Sequence, residues 1–170
     1  PPNFSIDLTG RTAIVTGASA GLGRRFASVL AACGAKVACT ARRKDKLDAL
    51  VAEITAAGGI AEAFALDVRD AEQLKAIIPA VTASLGQPDI LINNAGSLVA
   101  RKMLNDMDMD FWQKVMDVNL SSMMFVTKAA VSHLAKNNNS SIVNLASLAG
   151  RKGGHPGSLA YSTSKGAILT

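Results

Sequence analysis

Strands and helices alternate along this chain, and that alternation limits its fold more than any other feature. Five short apolar or β-branched runs occur: TAIVT (12–16), KVACT (36–40), AEAFAL (61–66), DILIN (89–93) and SIVNL (141–145). They are nearly continuously apolar, as strands are when both faces of a sheet are covered. Between them lie GLGRRFASVLAACG (21–34), KDKLDALVAEITAAGG (44–59), DAEQLKAIIPAVTASLG (70–86) and the long span 108–137. The first three space their apolar residues near 3.6 and end at glycine, a helix stop. Pro79 is expected to interrupt and kink the third. Such alternation builds a parallel sheet with right-handed crossovers, so the fold class is α/β, a doubly wound parallel sheet. No repeat, low-complexity tract or linker divides residues 1–170, which read as one domain or part of one.

The first strand runs directly into TGASAGLG, with Gly17, Gly21 and Gly23. A strand that turns sharply into a helix uses glycine for its backbone angles. The missing side chains let a diphosphate reach the unpaired N–H groups at the helix start. Gly17, Ser19, Gly21, Leu22 and Gly23 are therefore candidate cofactor-binding residues. A nucleoside-triphosphate loop would need Lys and then Ser or Thr after its last glycine, and Leu22, Gly23 and Arg24 follow Gly21 instead. A purely structural turn is the remaining alternative. At the end of the second strand, NAD sites commonly carry an acid for the ribose hydroxyls. Here Ala41 is followed by Arg42, Arg43 and Lys44. A carboxylate repels a 2′-phosphate and a guanidinium holds it, so NADP(H) is favoured over NAD(H), with Arg42 as the clamp.

The net charge of +5 raises nucleic acid as a partner, but the basic residues form no stripe and aromatics are 4%, too few for a stacking platform. No apolar run reaches the roughly 20 residues of a membrane helix. PPNFSIDLTGR lacks the layout of a secretion signal, and Cys33 and Cys39 match no metal spacing. Reduced thiols and a cytoplasmic location are expected, with no metal, nucleic acid or membrane partner.

In AYSTSKGA (160–167), Tyr161 and Lys165 stand four apart, on one face if the stretch is helical. Hydride transfer to a carbonyl leaves charge on oxygen and needs a proton donor. A free phenol, with a pKa of about 10, is a reluctant base in the reverse direction. A close ammonium in a desolvated cleft stabilises the phenolate and lowers that pKa. An exposed Tyr–Lys contact on a surface helix is the alternative.

Taken in order, TGASAGLG (16–23), DV (67–68), NNAG (93–96), Asn119 in VNL, Ser147 in NLASLAG and YSTSK (161–165) resemble the short-chain dehydrogenase/reductase family over nearly the whole chain. The resemblance implies a Rossmann fold and an NAD(P)-dependent oxidoreductase acting on a small carbonyl or alcohol. It implies Ser147, Tyr161, Lys165 and Asn119 as catalytic residues: Ser147 holds the substrate oxygen, Tyr161 passes the proton, Lys165 tunes it and grips the nicotinamide ribose, and Asn119 supports a water-linked proton path. It further implies Asp67 and Val68 at the adenine, and Asn93, Ala95 and Gly96 along the cofactor cleft. In relatives the helices after VNL and around YxxxK form a subunit contact, so a homodimer or homotetramer is implied for the full-length protein.

The pattern departs in places. Ser147 and Tyr161 are 14 residues apart, one more than is frequent, with RKGGHPGS (151–158) absorbing the difference. Ala146 replaces a second serine, and Ala20 replaces a basic residue of some NADP users. The chain ends at Thr170, whereas members run to about 250 residues, so it is expected to be C-terminally incomplete and inactive alone. Within the enzyme class a 3-oxoacyl carrier-protein reductase is an alternative. Outside it, a non-catalytic dinucleotide sensor or scaffold is another. His133 and His155 are expected at the surface. Trp112, Phe125 and the methionines from Met103 to Met124 are expected in a core or subunit contact.

Overall fold

The computed structural model describes residues 6–170. The strands are β1 (Thr12–Thr16), β2 (Lys36–Ala41), β3 (Ile60–Ala65), β4 (Ile90–Asn93) and β5 (Ser141–Asn144), all parallel, in the order β3-β2-β1-β4-β5. In the register, Val15 lies opposite Cys39 on one side and Ile92 on the other. The order reverses between β1 and β4, and in open sheets that switch point leaves a crevice at the carboxyl ends of the strands.

The helices are α1 (Gly21–Ala32), α2 (Lys44–Ala56), α3 (Ala71–Leu85), α4 (Met109–Met116), α5 (Ser122–Leu134), α6 (Ala149–Lys152) and α7 (Leu159–Leu169). Alternating strand residues split them into two layers. Ala13, Val15, Val37, Cys39, Ile90 and Ile92 face α1 and α2, packing on Ala27, Leu47, Leu50 and Ile54. Ile14, Ala38 and Leu91 face α3 and α5, packing on Leu74, Ile78, Val81, Val126 and Leu134. This two-sided burial accounts for the continuous apolar runs of the central strands, and the result is a doubly wound, Rossmann-type sheet.

β5 departs from that expectation. Ile142 and Val143 are 39% and 46% exposed and belong to neither packed layer; β5 is an edge strand, with nothing paired to its far side among the described residues. α3 continues through Pro79 to Leu85 rather than stopping at it. Pro79 is exposed, so the carbonyl it leaves unpaired can be solvated. The span 108–137 is likewise not one plain α-helix: a π-helical turn, Asp117–Ser121, joins α4 to α5.

The opposite end of the sheet is tied by Asp89, which is 4% exposed. Its carboxylate accepts from the Thr12 N–H at 2.8 Å and from the Asn137 side-chain amide, and it faces Arg11 Nε at 3.4 Å. Both cysteines are free, and burial pushes the Cys39 thiol up to about 12, leaving it an inert core residue. His155 is exposed as expected, His133 is half-buried, and Phe125 is exposed, so it is no part of this chain's own core. Met103, Met109 and Met124 are also exposed, while Trp112 packs beside Phe111 and Val115. No helix among the described residues is long and apolar enough to cross a membrane.

Candidate active site

The groove at the switch point begins where β1 ends. Gly17 and Gly21 take φ values of 68° and 56°, which a side chain would strain. A Cβ on Gly17 would also lie 2.9 Å from Asn94 Nδ2, so the turn closes directly onto the end of β4. Thr16 fastens the two strand ends: its Oγ1 accepts from the N–H groups of Asn94 and Ala95, each at 3.0 Å. Asn94 Nδ2 in turn donates to Thr16 O at 2.9 Å.

The groove encloses about 440 Å³ and is lined by Gly17, Ser19, Leu22, Arg42, Asp67, Val68, Ala95 and Gly96 among the residues expected there. Tyr161 and Lys165, also expected to touch the cofactor, do not line it, and three further expected residues stand elsewhere. Gly21 does not line it. Gly23 packs α1 under the turn, where a Cβ would lie 2.5 Å from Gly17 O. Asn93 is 5% exposed, and its side-chain amide donates to Thr127 Oγ1 at 2.9 Å and Asn144 Oδ1 at 2.8 Å. It thus faces α5 and β5, while Asn94, one residue on, lines the groove.

Two lining arginines were not singled out from the sequence. Arg43 Nη2 donates to Ser19 Oγ at 2.9 Å, bridging the start of α2 to the glycine turn. Arg69 forks onto Asp67, with Nε to Oδ1 at 3.0 Å and Nη2 to Oδ2 at 2.6 Å. These bonds, with Arg42 nearby, hold the Asp67 carboxyl down at about 2. Asp67 is the sole carboxylate lining the groove among the described residues, and the three residues directly after β2 are Arg42, Arg43 and Lys44 rather than an acid.

At the inner end of the groove, Gly96 adjoins a second cluster. A Cβ there would lie 2.8 Å from Asn119 Oδ1 and 3.4 Å from Lys165 Nζ. Lys165 is 5% exposed, its ammonium donates to Leu145 O at 2.6 Å, and it lies 5.9 Å from the centroid of the Tyr161 ring. Burial lowers the lysine pKa from its ordinary value. Asn119 sits in the π-helical turn, fully buried. Its Oδ1 accepts from Ser97 N–H at 3.0 Å, and its Nδ2 donates to Ser97 O at 2.8 Å and Val115 O at 2.9 Å. Val115 O is the carbonyl that residue 119 would meet with its backbone N–H in an α-helical turn.

Ser147 lies two residues past Leu145, just ahead of α6, and its Oγ accepts from Ala149 N–H at 3.1 Å. α6 packs backbone-to-backbone on α7: a Cβ on Gly150 would lie 2.6 Å from Gly166 N and from the Lys165 carbonyl carbon. The longer loop before Tyr161 is joined to residues 101–102, with Lys102 N–H donating to Gly157 O at 2.9 Å and Arg101 Nη1 to Pro156 O at 3.2 Å.

A family model described as short chain dehydrogenase matches residues 11–170. The chain belongs to the short chain dehydrogenase family. It is 37% identical to a 3-oxoacyl-[acyl-carrier-protein] reductase of Synechocystis sp. over 95% of this chain and 65% of the relative. It is 38% identical to a 2-dehydro-3-deoxy-L-rhamnonate dehydrogenase (NAD(+)) of Sphingomonas sp. over 98% of this chain and 65% of that relative. A crystal structure of a dehydrogenase/reductase from Sinorhizobium meliloti 1021 superposes with a TM-score of 0.91 at 36% identity, covering 96% of this chain and 64% of that one. The chain therefore spans slightly less than two thirds of the length of these short chain dehydrogenases.

The groove fits the nicotinamide dinucleotide, NAD or NADP, that this family takes. Its turn has no Cβ at Gly17 to fill the cradle, its outer rim carries Arg42 and Arg43, and its inner end meets a buried ammonium.

Proposed function

We propose that the whole protein is an NADP(H)-dependent oxidoreductase that interconverts a small carbonyl compound and its alcohol. The observation that carries this reading is the Lys165 ammonium, buried at the end of the groove beside Gly96, Asn119 and the Tyr161 ring.

A bound nicotinamide cofactor supplies or accepts the hydride. Tyr161 donates the proton to the carbonyl oxygen during reduction and takes it back during oxidation. Lys165 stabilises the phenolate through its charge, which acts strongly because the cleft is desolvated. With one donor on Leu145 O, the ammonium keeps others for the cofactor ribose. Ser147 donates to the substrate oxygen and orients it. Asn119 braces the Gly96–Ser97 segment against the π-helical turn and supports the proton path behind the lysine.

The 2′-phosphate of NADP falls to Arg42 and Arg43, two exposed guanidiniums where an NAD site commonly has an acid. One relative named above is an NAD(+) enzyme, so the preference rests on these arginines alone. Relatives named for an acyl-carrier substrate and for a sugar acid make a 3-oxoacyl carrier-protein reductase the second specific reading. The protein works in the cytoplasm on small-molecule substrates, as a homodimer or homotetramer. Exposed Met124, Phe125 and Val131 on α5 supply the apolar contact area for that assembly.

Kinetics of the whole protein with NADPH and NADH, on a panel of carbonyls and alcohols, test this reading. Tyr161→Phe should abolish most turnover while the cofactor still binds, and Arg42→Ala should lower the preference for NADPH. Normal turnover in the first variant or a clear preference of the native protein for NADH overturns the matching half.

A further inference from the structure

Asp67 reaches the groove with its carboxylate already largely engaged. A carboxylate offers about four acceptor positions. Oδ1 accepts from Arg69 Nε at 3.0 Å and from the Arg69 backbone N–H at 3.1 Å, while Oδ2 accepts from Arg69 Nη2 at 2.6 Å. Both positions on Oδ1 are thus used and one is left on Oδ2. The surrounding segment is also fixed: Asp67 N–H donates to Gln73 Oε1 at 2.8 Å, and Gln73 Nε2 donates to Asp70 Oδ2 at 2.8 Å at the start of α3. Arg69 therefore sets both the direction and the remaining capacity of the carboxylate.

We propose that Arg69 is the positioning residue for base selection: by holding Asp67 in a fork, it aims the single open acceptor position of Oδ2 at a ring amino group. This rests on the dinucleotide reading of the groove. The chemistry preferred is a purine with an exocyclic N–H donor, as adenine has. A 6-oxo purine presents a second acceptor to the carboxylate and is repelled. Without the fork, the backbone N–H of residue 69 still holds Oδ1, but Oδ2 loses its partner and its direction, and the distinction fades. Lysine at position 69 can make one charged hydrogen bond but not the planar pair, so it restores only part of the alignment.

The test is calorimetric binding of NADP+ and of its hypoxanthine analogue to the whole protein, carrying the native chain, Arg69→Met or Arg69→Lys, with melting temperatures measured alongside. Met keeps the apolar stem and removes the fork. The native chain should prefer the amino form about tenfold or more, as expected for a hydrogen bond to a charged group. In Arg69→Met the ratio should fall to within about twofold, with the melting temperature little changed, and Arg69→Lys should lie between. Loss of affinity for both ligands by the same factor, or an unchanged ratio in Arg69→Met, overturns the role of Arg69 while leaving the groove reading intact. Binding of neither ligand by the native chain overturns the groove reading itself.

Discussion

The ammonium of Lys165 on α7 is held by the main-chain carbonyl of Leu145, just past β5, at 2.6 Å. One hydrogen bond thus couples the helix bearing Tyr161 to the segment bearing Ser147.

Lys165→Met in the whole protein should lower kcat/KM by about a hundredfold to a thousandfold, the range for losing one preorganised electrostatic group. Stability should respond in a defined pH window. Burial lowers the lysine pKa in the fold, so between that value and its ordinary 10.5 the unfolded chain binds more protons. Stability contributed by this group is present above 10.5 and is lost as pH falls through the folded value. Denaturant unfolding across the alkaline range should show this slope in the native chain and a flatter one in the variant.

Asp67→Asn should weaken stability above the ordinary carboxylate range, and the gap should close in acid. The folded carboxyl is held at about 2 against an ordinary 3.8, so its contribution is complete above 3.8 and disappears as pH falls towards 2. Because both partners are partly exposed, the effect is at most about 1 kcal/mol. Urea titrations of both proteins from pH 6 to pH 2 measure it, and a gap that widens in acid would contradict the assignment.

Gly96→Ala tests the junction between groove and ammonium. Its methyl group would lie 2.8 Å from Asn119 Oδ1 and 3.4 Å from Lys165 Nζ, and Asn119 is fixed on three sides. Overpacking of this kind costs about 1–3 kcal/mol. A lower melting temperature and weaker dinucleotide binding by calorimetry are expected.

Asp89→Ala should be the most damaging change at the far end of the sheet. It leaves the buried Thr12 N–H unpaired and removes the carboxylate facing Arg11, for a loss of about 3–5 kcal/mol. Asp89→Asn keeps an acceptor for Thr12 and should lose less. Chemical denaturation of both variants orders them.

Much of this was legible because the strands and the glycine turn are written locally. The runs at 12–16, 36–40 and 89–93 are continuously apolar because helices cover both faces, and TGASAGLG must turn where it does. Asn93 and Asn94 were harder to separate. They adjoin at the end of a strand, where successive side chains take opposite sides, so a shift of one decides which enters the groove. The π-helical turn leaves little trace in apolar spacing. Arg43 was noted without a role and Arg69 not at all, for a different reason: a basic residue in a polar loop looks the same whether it is solvated or forked. Lys165 was found through its spacing from Tyr161, but its bond to Leu145 joins residues 20 apart and follows only from the fold.

The bare contact between Gly150 and Gly166 governs how this scaffold can diversify. With no side chain between them, the two backbones behave as one plate, carrying the serine on one side and the tyrosine and lysine on the other. Substrate range then has to change elsewhere, in the joined loops 98–102 and 153–157, whose variation leaves the spacing of the reacting groups untouched. Specificity can drift on this chassis while the chemistry stays still.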